Sequence, residues 1–204
     1  MQIHESKSNF IIFSRSKQDF TTRLYINNVM LEKLSVIKLL GIWLEEDLSW
    51  ERNTREICKK AFSRVHILSK LKFVGIKRED LLDIYKLFIC SFTEYCSVVF
   101  HSSLTQKQTK KIELIQSMCL KIILGNEYKD YSSALKLCNM SSLQDRRCER
   151  MLKFSLKCTR DKYNSKIFPL NTNPRNREIF EVNFARTNKY LKSAGPQCQR
   201  ILNN

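Results

Sequence analysis

Glu45, Glu46, Asp47 and Glu51 stand close together in the chain, and carboxylate oxygens at that spacing could hold a divalent cation. The same residues suit a solvated turn entering a helix, where negative charge complements the positive end of the helix dipole, and this is the reading we favour. His4, His66 and His101 share no spacing, with one another or with a cysteine, that suggests a metal site or a relay, and no Ser/His/Asp set can be assembled. Gly41, Gly75, Gly125 and Gly195 are solitary, so no glycine loop is present to cradle a phosphate. We assign no catalytic residue, no metal ligand and no cofactor.

The chemistry that the residues do suggest is contact with a polyanion. Arg146, Arg147, Arg150, Lys153, Lys157 and Arg160 recur at three and four residues, a helical stripe about four turns long. Each cation there can displace a condensed counterion from a phosphate backbone. A solvated, charge-rich helix face is the alternative, although only Glu149 with Lys153 offers an opposite charge at four-residue spacing. Lys59, Lys60 and Arg64 lie off the apolar stripe of an earlier helix and join the candidate nucleic-acid-binding set.

Charge balance agrees with this. Residues 1–56 carry 8 Lys+Arg against 8 Asp+Glu, and residues 57–204 carry 28 against 12, so the whole excess of +16 falls in the second stretch. A basic field of that size implies a partner, and its commonest polyanion is nucleic acid. A content of 43% hydrophobic residues is ample for a buried core in one domain or two small ones, and only 4 Gly and 3 Pro favour long helices over many tight turns. The 8 Cys include no CxxC pair, which points to reduced thiols in cytosol or nucleus. The N-terminus lacks the basic and apolar regions of an export signal. Apolar runs such as 87–90 and 98–100 fall far short of the roughly 20 residues of a membrane span. The expectation is an intracellular, non-secreted chain.

The elements that must position the cations follow from periodicity. Residues 9–14 (NFIIFS) read as a strand, followed by a polar break at Lys17, Gln18 and Asp19. Leu24 and Ile26, then Val29 and Leu31, alternate about Asn27-Asn28, a pair suited to a hairpin turn. A third apolar run spans 37–44, in which Gly41 suggests a bulge or a close approach of another backbone. After Ser49 the period becomes helical. The first helix carries Ile57, Ala61, Val65, Leu68 and Leu71 and ends at Gly75. The second, about 78–95, shows Leu81, Tyr85, Phe88, Phe92 and Tyr95 on one face and, as the most hydrophobic segment, belongs at the centre. Thr105 and Gln108 have capping-box spacing before an Ile112, Ile115, Cys119, Ile122 stripe that stops at Gly125. Ser132 or Ser133 opens a short helix to Cys138, and Ser142 opens the helix bearing the cationic series. Beyond Tyr163, Pro169, Pro174 and Pro196 accompany Arg175, Arg177, Arg186, Lys189 and Lys192. This reads as an extended or partly ordered basic tail with aromatic anchors at Phe180, Phe184 and Tyr190.

The run Ile37-Lys38-Leu39-Leu40-Gly41-Ile42-Trp43-Leu44, followed by Leu48-Ser49-Trp50, resembles the segment after the catalytic palm of non-LTR (LINE-type, jockey-like) retrotransposon reverse transcriptases. Lys7-Ser8 before the first strand resembles the lysine motif that follows the catalytic aspartates in that family. Leu82, Ile84-Tyr85, Ser91 and Tyr95, then 114–125, then Leu143 with Arg146-Arg147, are similar to its helical thumb and the connection after it. The order of these pieces along nearly the whole chain carries the resemblance.

The resemblance implies that Lys7 lies near the incoming nucleotide and that Leu39, Leu40, Gly41 and Ile42 form the primer grip. It also implies that helices from Trp50 onward clasp a template–primer duplex. Such enzymes hold Mg2+ on aspartates of two palm motifs, and neither motif is present: Asp19 and Asp47 are the aspartates before residue 80, and neither stands in such a turn. The chain is therefore expected to be a C-terminal fragment, from a truncated or decayed element, inactive alone and without the Mg2+ ligands. The expected fold is α+β, predominantly α, with a palm remnant at 1–48, a helical thumb-like bundle at 49–160 and a basic tail at 161–204. Expected partners are RNA or RNA–DNA duplex and the missing fingers and palm. The alternative is a non-enzymatic helical protein-interaction module.

Overall fold

The computed structural model describes residues 4, 7–14, 22–161, 168–169, 179–182, 184–185 and 187–203. Lys17, Gln18, Asp19, Tyr163, Pro174, Arg175, Arg177 and Arg186 lie outside them, as does the side chain of Lys189. Strands are confined to the first quarter of the chain and the remainder is helical, so the fold is α+β and predominantly α. Two compact units are present, Met1–Asn53 and Thr54–Asn204.

The first unit is built from two-stranded ribbons. Asn27 and Asn28 take φ of 48° and 63°, the left-handed pair whose twist suits a two-residue hairpin. They join β2 (Tyr25–Ile26) to β3 (Val29–Met30), with Tyr25 opposite Met30. β1 (Asn9–Phe10) pairs in parallel with β4 (Glu32–Lys33), so the strand expected over 9–14 is confined to its first two residues. The apolar run 37–44 is not one strand with a bulge. Leu40 (φ 46°) and Gly41 (φ 90°) form a turn between β5 (Val36–Leu39) and β6 (Ile42–Glu45), which places Leu39 opposite Ile42. Trp43 lies under two cations, Lys38 at 5.7 Å and Arg52 at 4.9 Å from its ring centroid. Ile42 and Trp50 are the buried large apolar residues of this unit among those described.

Helix α1 (Glu51–Phe73) buries Ile57, Ala61, Val65 and Leu68 as its periodicity predicts. It closes with Ile76 N–H donating to the Leu71 carbonyl and Gly75 N–H to Lys72, the Schellman arrangement that places Gly75 at φ 90°. The next segment departs from expectation. α2 (Arg78–Ile84) passes into a π-helical stretch, Tyr85–Cys90, before α3 (Ser91–Thr93). A π turn holds one residue more than an α turn, so side chains beyond it are rotated by about 100° relative to an uninterrupted α-helix. Leu81 and Tyr85 are buried, but the inward positions then become Ile89, Cys90, Thr93 and Glu94. Phe88 and Tyr95 are turned outward, 61% and 52% exposed, with Leu87 at 70%. The segment thus faces the core on one side rather than being enclosed.

α4 (Ser97–Phe100) and a 3-10 turn (His101–Ser103) lead to α5 (Gln106–Leu124). Its capping box forms in both directions: Gln108 N–H donates to Thr105 Oγ1 at 3.2 Å and Thr105 N–H to Gln108 Oε1 at 2.7 Å. Ile112, Ile115 and Cys119 are buried as expected, and Ile123 rather than Ile122 completes the inward face. α6 (Tyr131–Leu137) is capped by Asp130, whose carboxylate accepts from the Ser133 N–H and hydroxyl, so neither Ser132 nor Ser133 is the cap. Ser142 caps α7 (Leu143–Arg160) through the Asp145 N–H. Leu120, Leu124, Ala134 and Cys138 pack the α5–α6 junction.

The tail expected after residue 160 is, where described, part of the helical unit. α8 (Asn188–Leu191) and α9 (Ala194–Asn203) follow, and α9 packs on α7 and α4. Cys198, Phe168, Met151 and Cys158 form one cluster with Phe180 against it, while Phe184 is exposed and anchors nothing. Asn203 locks the segment by donating to and accepting from the Phe180 backbone, at 2.9 and 2.8 Å. All eight cysteines are free thiols, six of them buried. No described helix is long and apolar enough to cross a membrane.

The π turn reverses which neighbouring residue matters. Ile89→Ala should lower unfolding free energy by about 3 kcal/mol in a denaturant titration, and Phe88→Ala by less than about 1 kcal/mol. A straight α-helix would give the opposite order.

Candidate nucleic-acid interface

Leu143, Arg147, Met151, Ser155 and Cys158 all lie on the buried side of α7. Arg147 therefore occupies the middle of an apolar stripe, and its side chain is 0% exposed. Its Nη2 donates to Glu113 Oε1 at 3.4 Å and its Nε to His101 Nδ1 at 3.3 Å, while Nη1 is buried without a partner. Glu113 also accepts from the Tyr131 hydroxyl at 2.6 Å and the Leu143 N–H at 3.3 Å. Arg147 is thus an internal tie between α5 and α7, and the structure removes it from the expected surface set.

His101 takes its character from this contact. Burial, and then the charge of Arg147, push its pKa down to about 4, so the ring is neutral near pH 7. Because Nδ1 accepts from Arg147, the ring proton sits on Nε2, which points at Cys148 Sγ 3.2 Å away. The Cys148 thiol is itself pushed up, chiefly by burial. Sequence reasoning missed this pair because 47 residues separate its members.

Arg146 and Arg150 are held by a second buried acid. Glu94 follows α3, and its side chain is 0% exposed. Arg146 donates to it through Nε and Nη2, and Arg150 Nη2 lies 2.5 Å from Oε2. The bond to Glu94 raises the Arg146 pKa above the ordinary value. The guanidiniums nevertheless reach solvent, with 33% and 50% of the two side chains exposed. Lys153 pairs with Glu149 at 2.6 Å, the one pair that the sequence predicted. Arg146, Glu149, Arg150 and Lys153 line a surface cavity. Lys157 and Arg160 are exposed, and among the described residues neither is in an ion pair.

On α1, Lys59 is exposed, but its neighbours are engaged within the unit. Lys60 lies 5.3 Å and Arg64 4.5 Å from the centroid of Phe92, and Arg64 also donates to the Phe88 carbonyl. Lys107, Lys110, Lys111 and Lys121 on α5 are all exposed and extend the basic surface. Their three-, four- and ten-residue intervals were visible in sequence, but the denser series on α7 drew the assignment away from them.

In the first unit, Lys7 is exposed, and its N–H donates to the His4 carbonyl at 3.2 Å. Leu39, Leu40, Gly41 and Ile42 form the β5–β6 turn, with Leu40 82% exposed and Ile42 buried. The acidic group acts as the helix entry: both Glu45 carboxylate oxygens lie 3.1 Å from the Arg52 N–H. Among the described residues no group of three or more His, Cys, Asp or Glu is placed to hold a metal ion.

Two measurements test the buried network. Glu113→Ala leaves Arg147 buried without its counter-charge and should cost about 3 kcal/mol, more than Arg147→Met, which removes the charge itself. His101 binds a proton more readily unfolded than folded. Its contribution should be complete above pH 6.5 and decline as pH falls toward about 4; in His101→Gln that part of the melting-temperature profile should flatten. Comparison with protein-family models, curated proteins and solved structures finds no match to this chain.

Proposed function

We propose that the chain is the post-catalytic part of a non-LTR, LINE-type reverse transcriptase, which binds RNA or RNA–DNA duplex through its phosphates and does not polymerise alone. The observation that carries duplex binding is the +16 excess confined to residues 57–204. It is supported by exposed lysines on three helices: Lys59 on α1, Lys107, Lys110, Lys111 and Lys121 on α5, and Lys157 on α7. The order of the resembling segments supports the family reading. On that reading the Leu39 to Ile42 turn is the primer grip and Lys7 the nucleotide-proximal lysine, and the chain acts inside the cell, in cytoplasm or nucleus.

The missing fingers and palm are the proposed protein partner. Tyr25, Val29, Met30 and Leu39 leave about half or more of their surface in solvent, at 56%, 47%, 60% and 52%, and isolated two-stranded ribbons are marginal in water. Such strands suit a sheet completed by more chain. A purely protein-binding role for the helices is the second reading, favoured by the outward-turned Leu87 and Phe88.

A salt titration separates the two. Duplex affinity should fall steeply with ionic strength, the logarithmic slope steepening by about 0.9 for each phosphate contacted, whereas an apolar interface barely responds. Primer extension with Mg2+ should give no incorporation, and measurable synthesis by the chain alone would refute the inactive assignment.

A further inference from the structure

We infer that the cavity lined by Arg146, Arg150 and Lys153 is a preformed seat for one backbone phosphate, and that buried Glu94 is the positioning residue that shapes it. This rests on the nucleic-acid reading above and adds to it where a phosphate sits and why.

Three observations converge. Glu94 has no exposed side-chain surface, yet it receives two guanidiniums that do reach solvent. Arg146 meets it with its Nε and Nη2 edge, and Arg150 with Nη2 alone. That leaves Nη1 of Arg146, and Nη1 and Nε of Arg150, as donors beside the cavity that both residues line with Lys153. Charge is the third. The three cations face Glu94 and Glu149, which leaves one positive charge unmatched, the complement of a single phosphodiester.

Immobilisation is what distinguishes this site from the lysines elsewhere. An arginine already clamped by a carboxylate loses little side-chain entropy when an anion arrives, and its planar fork fixes where the oxygens go. A loose lysine contributes charge but no geometry. Glu94 thus gives up part of the positive field in exchange for two donors held at fixed positions. Glu149 acts the other way, since it holds Lys153 and competes with the phosphate.

The test uses fluorescence anisotropy of a labelled RNA–DNA duplex on the full chain, with melting temperature as the fold control. Arg150→Lys keeps the net charge and alters a half-exposed side chain, and should weaken binding about tenfold, the worth of one charge-assisted hydrogen bond. Glu94→Gln should also weaken it although it makes the protein more positive, and Glu149→Gln should tighten it. Inorganic phosphate added as competitor should displace duplex from the wild type at lower concentration than from Arg150→Lys.

If Arg150→Lys binds as the wild type does, or if Glu94→Gln binds more tightly, the cavity is not the seat and the surface acts by diffuse charge. Should Glu94→Gln lower the melting temperature, Arg150→Lys and the phosphate arm decide alone. A wild-type chain that binds no duplex at low salt overturns the nucleic-acid reading itself, a different outcome from failure of the cavity.

Discussion

Two carboxylates that water barely reaches, Glu94 and Glu113, govern how the helical unit is assembled. A buried charge is tolerated only with a counter-charge and hydrogen bonds around it, and removing one partner typically costs about 3–5 kcal/mol. Both counter-charges come from the first two turns of α7: Arg146 and Arg150 serve Glu94, and Arg147 serves Glu113. Glu94 belongs to the α3 end and Glu113 to α5, so one stretch of α7 ties together elements that are distant in sequence. Gln116 reinforces the second tie by accepting from Tyr131 and Leu143 and donating to the Ser141 carbonyl. The His101 tautomer, and through it the contact with Cys148, follows from where Arg147 is held.

This arrangement explains why net charge and accessible charge differ. Of the six cations in the α7 series, Arg147 is enclosed, Arg146 and Arg150 share Glu94, and Lys153 is matched by Glu149. Lys157 and Arg160 continue the stripe without a counter-charge among the described residues. The basic character of the surface is therefore distributed over α1, α5 and the end of α7.

Local signals in the sequence were legible where their physics is local. The Thr105–Gln108 box, the Ser142 cap, the Gly75 stop and the Asn27-Asn28 turn each depend on residues within about five positions of one another, and each forms. The failures share a different cause. The π turn at Tyr85–Cys90 is set by what the helix packs against, so a 3.6-residue period carried through it misplaces Phe88 and Tyr95. Arg147 was grouped by charge, although Leu143 and Met151, four residues to either side, already marked its face as internal. Folding of residues 188–203 onto α7 and α4 draws on apolar partners far back in the chain, such as Met151 and Val98, which composition alone undervalues. Of the candidate site, the cations were visible but their acidic partners were not, because Glu94 precedes Arg146 by 52 residues.

On the proposed reading, the two kinds of cation have separable tasks. Salt screens exposed charge over roughly 8 Å at physiological ionic strength, so the approach of a polyanion is steered by charge that has no neighbour of opposite sign. That describes the lysines of α5 and the end of α7, and it does not describe Arg146 or Arg150, whose field Glu94 halves. Clamped guanidiniums act at contact distance instead, where donor direction rather than net charge decides which arrangement of phosphate oxygens is accepted. A surface built in this way can attract many polyanions while holding them in one register. The register is set by the buried acids that also hold the helices together, so the stability of the unit and the geometry of its basic face cannot be varied independently.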